Sequence, residues 1–197
     1  MDTRIDRQSL GLLALLVLSG CMGPRARNQE STESMAGYAP RAAAQFHSIG
    51  HAPITGTVAF FYRGNTGLTV VVNVSGLSPG PHGFHILQER DCAADTARTA
   101  AHFNPNDRPH GNPYGPIHHF GDLPNLVADA SGHAALDATL DYISLGIRMH
   151  RDASLADNIV GHAIAIDRDR DDFQTQPDGN SGPMIACGPI VANFVQR

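Results

Sequence analysis

A period of two in the apolar residues is the strongest constraint this chain places on its own fold. Val58, Phe60 and Tyr62 alternate with Thr57, Ala59 and Phe61. Leu68, Val70, Val72 and Val74 alternate with Thr69, Val71, Asn73 and Ser75, and Ala134, Leu136, Ala138 and Leu140 repeat the pattern. The segment from Ile159 to Ile166 reads the same way. Successive side chains of a strand point to opposite faces, so these runs predict strands with one face buried. Arg63-Gly64-Asn65-Thr66-Gly67 supplies a hairpin turn, and Ser78-Pro79-Gly80-Pro81 breaks the chain before the next element. No helical period emerges after position 21. The expectation is an all-β sandwich or barrel. Residues 87–118 and 168–184 lack the alternation, and loops that long inside a compact domain are usually functional or tied down.

The N-terminus has a different character. Arg4 and Arg7 precede a short apolar run from Leu10 to Leu18, too short for the ~20 residues that span a bilayer. The run ends in Leu18-Ser19-Gly20-Cys21, which resembles a bacterial lipobox, with an ordinary signal peptide as the alternative. Residues 1–21 are therefore expected to be a lipoprotein signal with Cys21 as the lipidated residue, residues 22–48 a flexible tether, and residues 49–197 the folded domain. This organisation predicts export and a lipid anchor in the cell envelope. Met22 does not resemble an inner-membrane retention signal, which favours the outer membrane and periplasm.

Composition narrows the chemistry. The formal charge of −5 offers no basic face and argues against a nucleic-acid partner. All 14 basic residues are Arg, which removes lysine amine chemistry. Against 3 Cys there are 11 His, the commonest metal ligand near neutral pH. Cys92 and Cys187 are the only cysteines of the expected domain, and in an oxidising compartment a disulfide is the simple expectation, two free thiols the alternative. Closing a loop of this length is worth roughly 4–5 kcal/mol in the chain-entropy model. His102, His110, His119 and Asp122 supply three imidazoles and a carboxylate, a set suited to tetrahedral Zn²⁺ with no open position, and so to a structural site.

Five blocks carry a resemblance. Gly83-Phe84-His85, Ala101-His102-Phe103-Asn104-Pro105, His110-Gly111-Asn112-Pro113, His119-Phe120-Gly121-Asp122-Leu123 and Ala186-Cys187-Gly188 resemble, in order, the signature blocks of the copper/zinc superoxide dismutase family. The resemblance spans roughly residues 54–193. It implies a Greek-key β-sandwich or barrel with long metal-bearing loops, and zinc on His102, His110, His119 and Asp122. It further implies that Asp171 joins His85 to His110 from outside the metal sphere; members of the family are usually dimers, so a homodimer is one assembly the resemblance allows.

The departures bear on function. The family holds copper with four His; here His85 and His102 match two of them, while Leu87 and Asp167 stand where the others belong. Met184 stands where the family places an Arg that guides the superoxide anion. Leu87 offers no donor, Asp167 is a hard ligand unsuited to Cu(I), and Met184 removes an attracting charge. The expectation is a zinc-stabilised, exported binding or interaction module that has lost copper and dismutase activity. The alternative is a dismutase with unusual copper ligation, built from His85, His102, Asp167 and one of His82, His118 or His162. A third arrangement would use His85, His102 and Asp167 as a two-histidine, one-carboxylate iron set.

Overall fold

A computed structural model describes residues 39–62, 67–92, 100–146 and 155–193. The expected signal, Cys21, the tether as far as residue 38 and most of the 63–67 turn lie outside the described residues. Among those described there is no α-helix, only one 3-10 turn at Leu155–Asp157, and no helix long and apolar enough to cross a membrane.

Ten strands are found among the described residues. They are β1 (Ala42–Ser48), β2 (Thr55–Tyr62), β3 (Leu68–Ser75), β4 (Gly80–His82), β5 (Phe84–Ile86), β6 (Leu126–Ala128), β7 (Ala134–Leu140), β8 (Ala163–Asp167), β9 (Met184–Pro189) and β10 (Val191–Ala192). A curled antiparallel sheet runs β5-β8-β9-β1-β2-β3-β7, with β10 also on β1, and β4 pairs with β6 separately. The all-β expectation holds, and so do its three clearest strands. Val58 pairs with Val72 and Val72 with Leu136, so the alternating runs stack in register across β2, β3 and β7.

The tether expectation fails at its end. Residues 42–48 are strand β1, which pairs with β2 and β10 through its first half and with β9 through its second. Ala42, Ala44 and Phe46 are buried while Gln45, His47 and Ser48 are exposed, a period of two hidden by the small apolar area of alanine. β1 thereby joins the two halves of the sheet. The reading of residues 159–166 as one alternating strand is also corrected. The strand is β8, and all five of its residues are buried. Ile164 and Ile166 face the main core with Phe46, Phe60 and Phe84. Ala163 and Ala165 lie under a second cluster with Leu87, Met184 and Cys187. A strand covered on both faces loses the alternation that one wet face would impose.

Phe46 meets Phe84 edge-on at 6.3 Å between ring centroids. Phe46→Ala should therefore cost about 3–5 kcal/mol in denaturant unfolding, while Gln45→Thr should stay within about 0.5 kcal/mol. Equal, negligible effects of both changes would return this segment to the tether.

Candidate metal centre

The three residues of β5 organise the site. Phe84 and Ile86 enter the core, so His85 between them projects from the other face. The edge of β5 not used by β8 is taken by the long loop. Ile86 N donates to Gly121 O (2.9 Å), Phe103 N to Ile86 O (2.8 Å) and Gly121 N to Phe103 O (2.8 Å). Isolated bridges pair His85 with Asp122 and Leu87 with His102. Gly121 is required at this crossing, since a Cβ would stand 2.2 Å from Ile86 O. Backbone pairing thus brings two distant segments of the loop against one strand. The disulfide Cys92–Cys187, with a Cα–Cα distance of 5.7 Å, ties the loop to β9.

The four expected donors come together. Asp122 Oδ1 lies 2.8 Å from His102 Nδ1, 3.0 Å from His110 Nδ1 and 3.3 Å from His119 Nδ1. His102 Nδ1 and His119 Nδ1 are 3.4 Å apart, and all four buried donors lie within 4.8 Å of one another. A tetrahedron with bonds of about 2.0–2.1 Å has edges of about 3.3–3.4 Å, close to the Asp122–His119 and His102–His119 separations, so the cluster could hold a zinc ion. The other carboxylate oxygen is anchored: Asp122 Oδ2 accepts from Gly111 N (3.0 Å) and His119 N (2.8 Å).

Asp171 takes the place expected of it. Its Oδ2 is 2.9 Å from His85 Nε2 and its Oδ1 is 2.9 Å from His110 Nε2. A carboxylate accepts, so His110 Nε2 carries the proton. The Nδ1 lone pair of a neutral His110 then faces a lone pair of Asp122 Oδ1. Only a second ring proton or a cation resolves that contact, and this is the observation by which the donor set fits zinc. Asn125 fixes the Asp171 backbone, donating from Nδ2 to its carbonyl (2.9 Å) and accepting from its N–H (3.0 Å). Gln176 does the same for His110, accepting from its N–H and donating to its carbonyl, both at 2.9 Å. Neither amide was marked by sequence, because their partners lie 46 and 66 positions away.

The electrostatics follow from burial and these contacts. Burial alone would lower the pKa of His110, but hydrogen bonds to Asp122 and Asp171 raise it to about 9. Burial likewise opposes charge on His85, and its bonds to Asp167 and Asp171 carry it to about 9. For His102, burial and the neighbouring His85 charge win over Asp122, and the pKa falls to about 4. Burial works against ionising Asp122 and Asp171, yet their imidazole partners hold both well below the usual carboxylate range.

The family model for copper/zinc superoxide dismutase matches residues 54–190. This chain belongs to the copper/zinc superoxide dismutase family. It is 34% identical over 149 residues to the extracellular superoxide dismutase [Cu-Zn] of Brugia pahangi, an alignment covering 71% of this chain and 69% of that protein.

The copper side departs from the family in residue type. His85 Nδ1, which would face copper, is 2.8 Å from Asp167 Oδ2, and the same oxygen accepts from Ser181 Oγ at 2.9 Å. Nε2 lies on Asp171, so both ring nitrogens of His85 have a carboxylate partner. Leu87 is buried in the second apolar cluster beside Met184. The His85 and His102 rings stack at 3.8 Å. What remains is a cavity of ≈ 40 Å³, walled by Leu87, His102, Asp167, Asp178, Ser181 and Met184 among others, with no arginine among the described residues of its lining. Of the four positions that hold copper in the family, His85 and His102 carry an imidazole, and Leu87 and Asp167 do not.

The three histidines considered as replacement ligands are engaged elsewhere. His82 bonds the carbonyls of Asp167 (2.9 Å) and Ser78 (2.8 Å), His118 that of His119 (2.6 Å), and His162 those of Leu87 (3.0 Å) and Gln88 (3.1 Å). His47, His51 and His133 make no part of the cluster, and His150 lies outside the described residues.

His85 and His110 both have folded pKa values of about 9 against an ordinary 6.5. In metal-free protein each binds a proton more tightly when folded. Their contribution to stability is complete below pH 6.5 and is lost as pH rises through about 9. Metal-free protein should therefore melt at a lower temperature at pH 9 than at pH 6.5, by calorimetry in matched buffers. A flat or rising profile would contradict the doubly bonded imidazoles.

Proposed function

We propose that this chain is a non-catalytic member of the superoxide dismutase family: an exported, lipid-anchored β-domain held by one structural zinc and acting as a binding module. The observation that carries the reading is the bond from His85 Nδ1 to Asp167 Oδ2 at 2.8 Å. It caps the nitrogen that copper would need. Copper that cycles between oxidation states wants imidazole donors, and three of the four needed here are capped or replaced.

Substrate recognition is lost along with the metal. Superoxide is an anion, and an anion is steered by positive potential. Met184 occupies the guiding position, and the cavity wall carries Asp167 and Asp178 instead. Zinc, by contrast, has a complete donor set in His102, His110, His119 and Asp122. Four protein donors leave no open coordination position, so zinc would supply folding energy rather than chemistry. Export is supported by the lipobox-like Leu18-Ser19-Gly20-Cys21 and by the Cys92–Cys187 disulfide. The extracellular relative points the same way.

The full chain, exposed to both metals, should hold one zinc and no copper by elemental mass spectrometry, and should remove superoxide no faster than buffer. Leu87→His with Asp167→His returns the two missing imidazoles, and copper uptake by that double variant alone would locate the block. One copper per native chain, with dismutase activity abolished by His85→Ala, would restore the enzyme reading.

A further inference from the structure

The metal loop is also gripped from its outer side, by two residues that the family signature does not mark. Tyr142 follows the end of β7 and donates its hydroxyl to the backbone carbonyl of Asp122 at 2.8 Å. Its ring meets the His118 ring at 4.3 Å and 66°, an edge-on contact. His118 in turn has Nδ1 at 2.6 Å from the carbonyl of His119. A carbonyl only accepts, so this Nδ1 carries a hydrogen and the tautomer is fixed. The packed Tyr–His pair therefore holds the main chain of two donor residues, Asp122 and His119, which are three positions apart.

We propose that Tyr142 and His118 act as one positioning clamp that sets the metal affinity of the His102–His110–His119–Asp122 cluster. The proposal rests on the zinc reading above. Its physical basis is that the backbone bonds holding these two peptides, Asp122 N to His119 O and Leu123 N to Phe84 O, are long at 3.3 Å each, and the two side chains add shorter ones. Rotation of the Asp122 peptide would carry its carboxylate away from the three Nδ1 atoms, and rotation at His119 would release the N–H that anchors Asp122 Oδ2. Groups outside the coordination sphere that orient ligands typically control 10–100-fold of metal affinity. The edge-on ring contact couples the two grips, because displacing either ring withdraws support from the other.

The pair also forms part of a surface groove of ≈ 620 Å³ with Tyr114 and Pro113. Tyr114 is 68% exposed, which makes it a neutral control from the same wall.

Zinc affinity of the full chain is measured by chelator competition, with the visible spectrum of the cobalt-substituted protein recorded alongside. Tyr142→Phe keeps the ring and removes one donor, and should weaken zinc binding about 10–100-fold and alter the cobalt bands. His118→Phe should shift both in the same direction, with the double variant losing less than the two single losses multiplied, while Tyr114→Phe changes neither. Unaltered affinity and spectrum in Tyr142→Phe, even with a lower melting temperature, would overturn the clamp and leave the zinc reading intact. If Tyr142→Phe does not fold, His118→Phe decides on the same criteria. A native chain that takes up no zinc would overturn both.

Discussion

Asp122 is the residue on which the rest of the arrangement depends. It has no solvent exposure, and an isolated ionised carboxylate in such a place would be prohibitively costly. Each of its three oxygens is therefore engaged. One oxygen faces three imidazoles, the other accepts two backbone N–H groups, and its carbonyl accepts the Tyr142 hydroxyl. The partners come from positions 102, 110–111, 119 and 142, which binds together a loop that has little regular structure of its own. The loop in turn is hydrogen-bonded to β5, so the fold and the cluster specify one another.

Asp171 extends this network across what would be the boundary between two metal sites. By accepting from both His85 and His110 it makes the copper-side histidine a structural partner of the zinc-side one. Gly179 shows how close the packing is. It has φ +66, and a Cβ there would collide with both Asp171 and His110. A conformation that ordinary residues avoid has thus been kept where the carboxylate and the imidazole need the space.

Much of this was legible in the sequence, because the metal donors sit inside short blocks whose residues also make the backbone crossings. Gly83-Phe84-His85 leads into strand β5, and His119-Phe120-Gly121-Asp122 is the segment laid against it. The pattern of strands was legible wherever one face is wet. It failed at β1, where alanines carry the buried positions, and at β8, where both faces are covered. Ser181, Asn125, Gln176 and Tyr142 were not legible, since each acts through a single hydrogen bond or an amide pair to a distant backbone or carboxylate. No spacing rule marks such a residue. Tertiary proximity alone gives it a role.

The same network explains why His85 persists although the copper donors around it are replaced. Its imidazole completes the hydrogen bonding of Asp171, which is buried and ionised. Truncating it would leave that carboxylate with an unsatisfied oxygen, and removing one partner of a buried charged pair typically costs about 3–5 kcal/mol. With Asp167 accepting from Nδ1, the ring has become an internal strut between β8 and the following loop. Leu87 fills the adjoining space with apolar volume, and Ser181 satisfies Asp167 from the far side. Carboxylate, hydroxyl and aliphatic side chain line the small cavity there, and a chain of imidazoles and carboxylates runs unbroken from Asp167 to Asp122.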